Sequence, residues 1–316
     1  QIQHDIASIN MTGHIITRTK KRDVQEDVAQ RTAQVISHEF TYEEMKFYDK
    51  VTEFVREHTE NGFYAFVVIN YQRQVASCIQ AMIKKYESKF DFIPFEEYPE
   101  ESDQEVEDWD TIKEEDFSIN QKRISNIISK IPIPKGIDSK YDALLKLLKE
   151  LDTKEPNRKI LLFSYFVGTL NYLEERLKMD GYSNLVIHGR YDPFERYERI
   201  EQFKKDQTIR ILLSSEVGSE GLDFQFCHIL INYDLPWNPM KVEQRIGRLD
   251  RFGQESERIL IFNLVTKGTI EERILQRLYD RINIFEESIG DLEPILGEIM
   301  GDLQRDLLSS KLTIEE

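Results

Sequence analysis

Three arginines, Arg245, Arg248 and Arg251, recur at i, i+3 and i+6 within Glu243-Gln-Arg-Ile-Gly-Arg-Leu-Asp-Arg-Phe-Gly-Gln254. On one helix they would share an arc of roughly 120°, at about 100° per residue. Guanidinium groups so crowded repel one another unless anions lie nearby. The plain reading is a solvated basic helix face. Against it stand Gly247 and Gly253. Glycine within a helix costs about 1 kcal/mol relative to alanine, so close approach of another group is expected there. The planar, always-charged guanidinium also suits clamping of a phosphoryl group in transit. A second segment, Ser214-Ser-Glu-Val-Gly-Ser-Glu-Gly-Leu-Asp-Phe224, is rich in small residues. In such a turn backbone amides can approach an anionic ligand closely. Alone it would read as an ordinary loop; following an apolar strand and preceding the arginine segment, it carries more weight.

The elements that must position these residues can be read from the pattern. Lys159–Ser164, Asn184–His188, Arg210–Ser214, His228–Asn232 and Arg258–Asn263 are short apolar runs that read as strands. Helical stretches at Tyr141–Leu151, Val167–Met179, Pro193–Lys205 and from Asn238-Pro239 alternate with them. Continuous apolar strands alternating with helices predict a parallel α/β sheet covered on both faces, with ligands at the carboxyl ends of the strands. Each candidate segment sits in a loop or helix start just after a strand. Upstream, residues 1–36 read as polar and irregular, with a basic patch at Arg18, Lys20, Lys21 and Arg22. Thr41-Tyr-Glu-Glu44 fits a capping box opening a helix to about residue 58. A second helix is expected from Phe63 to Ser88, with Phe66, Ile69, Val75, Ile79, Met82 and Ile83 inward. Thr269–Glu287 reads as a final long helix with a short helical tail. The expected division is a helical region at 1–95, an acidic insertion and linker at 96–136, the α/β lobe at 137–266 and bracing helices at 267–316.

Composition bounds the rest. The 316 residues carry a net charge of -16. Residues 91–116 hold 13 acids against Lys113 alone, a net of -12 that leaves -4 for the other 290. The acidic stretch reads as a solvated loop, with a nucleic-acid mimic as the sharper alternative, and overall acidity does not exclude a local basic surface. No run approaches the roughly 20 apolar residues of a membrane span. Cys78 and Cys227 lie far apart and offer neither a disulfide framework nor metal-ligand spacing. A reducing, cytoplasmic setting is expected. The chain does not begin with Met, which suggests a piece cut from a longer protein.

Gln244-Arg-x-Gly-Arg-x-x-Arg-x-Gly-Gln254 resembles the arginine-finger motif of superfamily-two helicases and translocases. With Asp234-Leu-Pro-Trp-Asn-Pro239 upstream it is similar to the Snf branch, and in its Gly247-Arg248 pair to bacterial RapA-like members. The resemblance implies a RecA-like second lobe, preceded by a helical region and followed by bracing helices. It implies that Arg248 and Arg251 are catalytic, reaching the γ-phosphate of ATP held by a first lobe. Gly221, Asp223, Gln244, Arg245 and Glu220 would lie near the nucleotide. Ser164, Phe166, Arg190, Ser214 and Ser215 would face a nucleic-acid track. The sequence has no Gly-x-x-x-x-Gly-Lys-Ser/Thr loop and no strand ending in Asp-Glu. ATP and Mg2+ would therefore be held mainly by the first lobe, with no metal site here and no ATP turnover by this chain alone. The expected partners are that lobe, double-stranded DNA and possible docking targets such as RNA polymerase. A strand-separating helicase and a non-catalytic docking lobe stand as alternatives to a translocase.

Overall fold

The computed structural model describes residues 29–58, 64–87, 134, 136–156, 158–219, 221–251 and 253–289. The acidic stretch, the N-terminal basic patch, Glu220 and the expected helical tail lie outside them. The described residues build a six-stranded sheet in the order β1-β6-β5-β2-β4-β3, with every pairing parallel. Its strands are β1 (Gln30–Glu39), β2 (Ile160–Phe163), β3 (Asn184–Ile187), β4 (Ile211–Ser214), β5 (Ile229–Asn232) and β6 (Arg258–Lys267). The helices are α1 (Tyr42–His58), α2 (Tyr64–Ser77), α3 (Ile79–Glu87), α4 (Ser139–Lys154), α5 (Val167–Met179), α6 (Pro193–Lys205), α7 (Glu216–Ser219), α8 (Pro239–Ile246) and α9 (Ile270–Ile289).

The central strands are apolar on both faces because both faces are covered. In β2, Leu161 and Phe163 enter a core shared with α1–α3, α6, α8 and α9. Ile160 and Leu162 enter a second core formed with Tyr141, Leu144 and Leu148 of α4 and Leu170, Leu173 and Leu177 of α5. This is the RecA-like sandwich of helices about a parallel sheet. None of the described helices is long and apolar enough to cross a membrane.

Local chemistry sets the helix starts. The capping box forms as expected: Thr41 N donates to Glu44 Oε2 at 2.8 Å and Glu44 N to Thr41 Oγ1 at 3.3 Å. Asp192 accepts from Phe194 N and Glu195 N ahead of Pro193, and Asn238 accepts from Met240 N ahead of Pro239.

Three expectations are corrected. Residues 30–36 are not irregular: β1 pairs in register with β6 along its whole length, from Gln30↔Arg258 to Glu39↔Lys267. As an edge strand it buries few side chains, chiefly Arg31 and Val35, so no apolar run announces it. The helix expected from Phe63 to Ser88 is interrupted at Cys78, although Cys78 N still bonds Gln74 O and Met82 N bonds Cys78 O. Val75, Ile79, Met82 and Ile83 are buried as expected, and the Phe66 side chain lies outside the described residues. Finally, Arg245, Arg248 and Arg251 do not share one helix. α8 ends at Ile246 with Gly247 as its cap, and the chain continues as a turn.

Candidate functional site

Arg245 occupies the last turn of α8 and is 1% exposed. Its Nη1 donates to Asn232 Oδ1 at 2.8 Å and to the Asp234 carbonyl at 2.9 Å, and it is ion-paired with Glu216. The guanidinium plane lies 5.0 Å from the Phe163 ring centroid. Arg245 thus ties together the carboxyl ends of β2, β4 and β5, and its donors are committed within the lobe.

Past Gly247 the arginines part company. Gly247 is right-handed, with φ -61°, and a Cβ there would meet only its own helix, at 3.2 Å from Glu243 O. Among the described residues no other segment approaches Gly247 closely, whereas one does at Gly218. A Cβ on Gly218 would lie 2.7 Å from Ile187 O and 2.8 Å from His188 Cα. That contact seats the small-residue turn against the end of β3, where Ser215 N also donates to Ile187 O. Gly221 takes a left-handed φ of +73°, which turns the chain towards Asp223.

The two motif segments meet here. Phe224 N donates to Arg248 O at 2.8 Å, and Arg251 Nη1 lies 2.7 Å from Asp223 Oδ1. Arg251 Nε also donates to Gly247 O. The Arg248 side chain is half-buried and has no hydrogen-bonding or ion-pair partner among the described residues. Gln244 is exposed on α8. Gly221, Asp223, Gln244, Arg248 and Arg251 therefore lie on two adjoining segments, whereas Arg245 points inward.

A residue outside the sequence-derived set holds this turn. Arg31 of β1 donates from Nη1 to both carboxylate oxygens of Glu243, at 2.8 and 2.7 Å, and from Nε to Asp250 Oδ2 at 2.9 Å. Because Gln30 and Arg258 are register partners at the strand starts, the turn around Asp250 lies beside the amino ends of β1 and β6. No sequence signal singled out Arg31, because Glu243 and Asp250 already stand among three arginines in their own segment.

The expected nucleic-acid residues divide in two. Ser164, Ser214 and Ser215 are fully buried. Ser214 Oγ donates to the Ser215 carbonyl, Ser215 Oγ accepts from Gly218 N, and Ser164 Oγ donates to Asp234. Phe166 is half-buried beside Tyr165, over which Arg73 stacks at 4.3 Å. Arg190 is exposed in the turn after β3.

Beneath the carboxyl ends of the strands lies a buried ionic network. Lys140 of α4 pairs with Asp234 at 3.2 Å and with Glu271 of α9, and donates to Ala76 O at 3.3 Å. Burial alone would lower the Lys140 ammonium, but the two carboxylates outweigh it and hold its pKa above the ordinary lysine value. Burial pushes the Glu271 carboxyl up. It would do the same to Asp234, but Lys140 and the Ser164 hydroxyl prevail and hold that carboxyl below its usual range. His38, burdened first by burial and then by Lys140, falls to about 3, and its Nε2 meets Thr266 Oγ1 at 2.8 Å.

Among the described residues no group of three or more His, Cys, Asp or Glu side chains is arranged to hold a metal ion. A cleft of about 400 Å³ lined by Leu145, Lys149, Asp152, Tyr182 and Arg210 contains none of the motif residues.

Comparison with known proteins agrees with this architecture. Residues 139–253 match the family model of the helicase conserved C-terminal domain. A Bacillus subtilis (strain 168) protein, the uncharacterized ATP-dependent helicase YqhH, is 29% identical over 290 residues, covering 92% of this chain. The chain spans only 47% of that relative's length. Among solved structures, the C-terminal part of the Fun30 ATPase domain superposes with a TM-score of 0.53 at 22% identity, covering 88% of this chain and 93% of the other. The Sulfolobus solfataricus SWI2/SNF2 ATPase core in complex with dsDNA gives a TM-score of 0.55 at 18% identity, covering 87% of this chain and 49% of the other. Residues 139–253 are thus similar to the helicase conserved C-terminal domain, and the chain shares the fold of the C-terminal part of the Fun30 ATPase domain.

Proposed function

We propose that this chain is the second lobe of an ATP-driven translocase on double-stranded nucleic acid, and that it supplies two arginine fingers to a site shared with a first lobe. The observation that carries the reading is the state of Arg248. Its backbone is bonded to the small-residue turn through Phe224, while its guanidinium has no partner among the described residues. A cation on a fixed backbone with a half-buried, uncommitted side chain is suited to an anion arriving from outside the lobe. Arg251, held only by an exposed carboxylate and a carbonyl, can join it.

ATP with its magnesium ion, when bound, supplies the phosphoryl group whose transfer drives the cycle. Arg248 and Arg251 stabilise the charge on that group, and Gly221, Asp223 and Gln244 border it. Arg245 contributes from behind by holding the end of α8 against β4 and β5. Phe166 and Arg190 are the accessible members of the nucleic-acid set. Closure of the two lobes converts nucleotide occupancy into movement along the duplex. The dsDNA bound to the Sulfolobus solfataricus core supports a duplex track, and the helicase name of the Bacillus relative supports strand separation as the second reading.

Two assays test the proposal. The purified chain alone should hydrolyse no ATP, whereas the two-lobed protein should hydrolyse it and be stimulated by duplex DNA. The two-lobed protein should displace a triplex-forming strand without separating the duplex. Turnover by the isolated lobe would refute the shared site, and separation of the duplex would favour a helicase.

A further inference from the structure

Arg31 is a residue without an assigned role that contacts the arginine segment on both sides of Arg248. It is a cation in a polar edge strand, yet its side chain is only 6% exposed and that of Asp250 3%. Its fork divides between two acids seven positions apart: Nη1 takes both oxygens of Glu243, while Nε and Nη2 take Asp250. Glu243 belongs to α8 and Asp250 to the turn beyond it, so the pair brackets Gly247 and Arg248. The segment between them is no longer continuous helix. Its local bonds are short-range, Leu249 N and Asp250 N both donating to Ile246 O. On the opposite side Phe224 N holds Arg248 O.

We propose that Arg31 is a positioning residue for the arginine fingers: by pairing with Glu243 and Asp250 at once, it fixes the backbone from which Arg248 and Arg251 project. The inference rests on the reading of Arg248 and Arg251 given above. Two features favour positioning over a contribution to stability alone. Buried ion pairs add little net stability over apolar packing of similar volume, so stability gives no reason for this one. And the planar guanidinium presents five donors in a rigid fork, which fixes the angle between its two carboxylates more tightly than the freely rotating donors of an ammonium. The pairing of β1 along the whole of β6 holds the start of the strand beside the arginine turn. It brings Arg31 to the turn.

The test uses the two-lobed protein, with duplex-stimulated kcat, KM for ATP and thermal unfolding followed together. Displacement of a catalytic group by about 1 Å can cost on the order of 100-fold, so Arg31→Met should lower kcat by roughly 10–100-fold. KM should move by less than about 3-fold, because nucleotide binding by the first lobe is untouched. Arg31→Lys should retain the fold and give an intermediate loss. In a background lacking both fingers, Arg248→Ala with Arg251→Ala, Arg31→Met should add less than about 3-fold, since residues that act through one another are not additive. Because Arg31→Met removes a cation from the buried Asp250 and from Glu243, whose side chain is 38% exposed, the triple variant Arg31→Met, Glu243→Gln, Asp250→Asn provides the structural control. Recovered thermal stability with kcat still low supports positioning; recovery of kcat along with stability overturns it. An undiminished loss in the background lacking both Arg248 and Arg251 also overturns it. Normal turnover by Arg248→Ala alone would instead defeat the reading of the fingers, and this inference with it.

Discussion

Arg251 Nη1 lies 2.7 Å from Asp223 Oδ1, joining the arginine turn to the small-residue turn across the surface of the lobe. Both side chains are more than two-fifths exposed, at 45% and 43%. An exposed pair is screened by water and salt and is worth about 0–1 kcal/mol. It can hold Arg251 at rest and release it at little cost. Asp223→Asn should therefore lower the stability of the lobe by less than about 1 kcal/mol in urea denaturation. A larger loss would make the pair a structural brace.

Arg245 should behave in the opposite way. Arg245→Met removes the partner of Glu216 and of the Asn232 side chain in a buried setting. Breaking such a pair costs about 3–5 kcal/mol, with the partial exposure of Glu216, at 27%, favouring the lower end. Arg245→Lys should not rescue it, because a single Nζ cannot reproduce the planar fork that pairs with Glu216 from one side while Nη1 meets Asn232 and the Asp234 carbonyl on the other. Urea denaturation separates this residue from Arg248, whose replacement should leave the midpoint almost unmoved.

The two glycines divide along the same line. Gly218→Ala forces a Cβ against the backbone of β3, where nothing can give cheaply, and should destabilise by about 1–3 kcal/mol. Gly247→Ala meets only its own helix at an ordinary right-handed φ and should change stability by less than about 1 kcal/mol. Thermal melts of both variants side by side make the comparison.

His38 predicts a pH dependence. Its pKa is about 3 in the folded chain against an ordinary 6.5, so the unfolded chain binds one more proton between those values. The contribution is fully present above about pH 6.5 and is lost as pH falls towards 3, at up to about 1.4 kcal/mol per pH unit. His38→Gln should flatten that share of the stability profile between pH 6 and 4. An unchanged slope would assign it to other groups.

Much of the sheet was legible because burial on both faces leaves runs such as Ile160–Phe163 and Ile229–Asn232 without polar interruption. Pro193 and the Asn238-Pro239 pair marked helix starts through their own chemistry. β1 was not legible, because an edge strand needs few apolar side chains and its partner lies more than two hundred residues away. The arginine spacing was read as one helical face, whereas Gly247 ends α8 and sends Arg245 inward. The buried hydroxyls of Ser164, Ser214 and Ser215 carry the same lesson: a small polar residue after a strand can serve a ligand or the backbone, and only the packing distinguishes them.

Arg248 is proposed to act on the phosphoryl group and not on the fold. Single-turnover ATP hydrolysis by the two-lobed Arg248→Ala protein, with saturating duplex DNA and nucleotide, measures this directly. The account predicts a rate about 10³–10⁵-fold below that of the unaltered protein, with nucleotide binding and the melting curve preserved. A near-normal rate would contradict it.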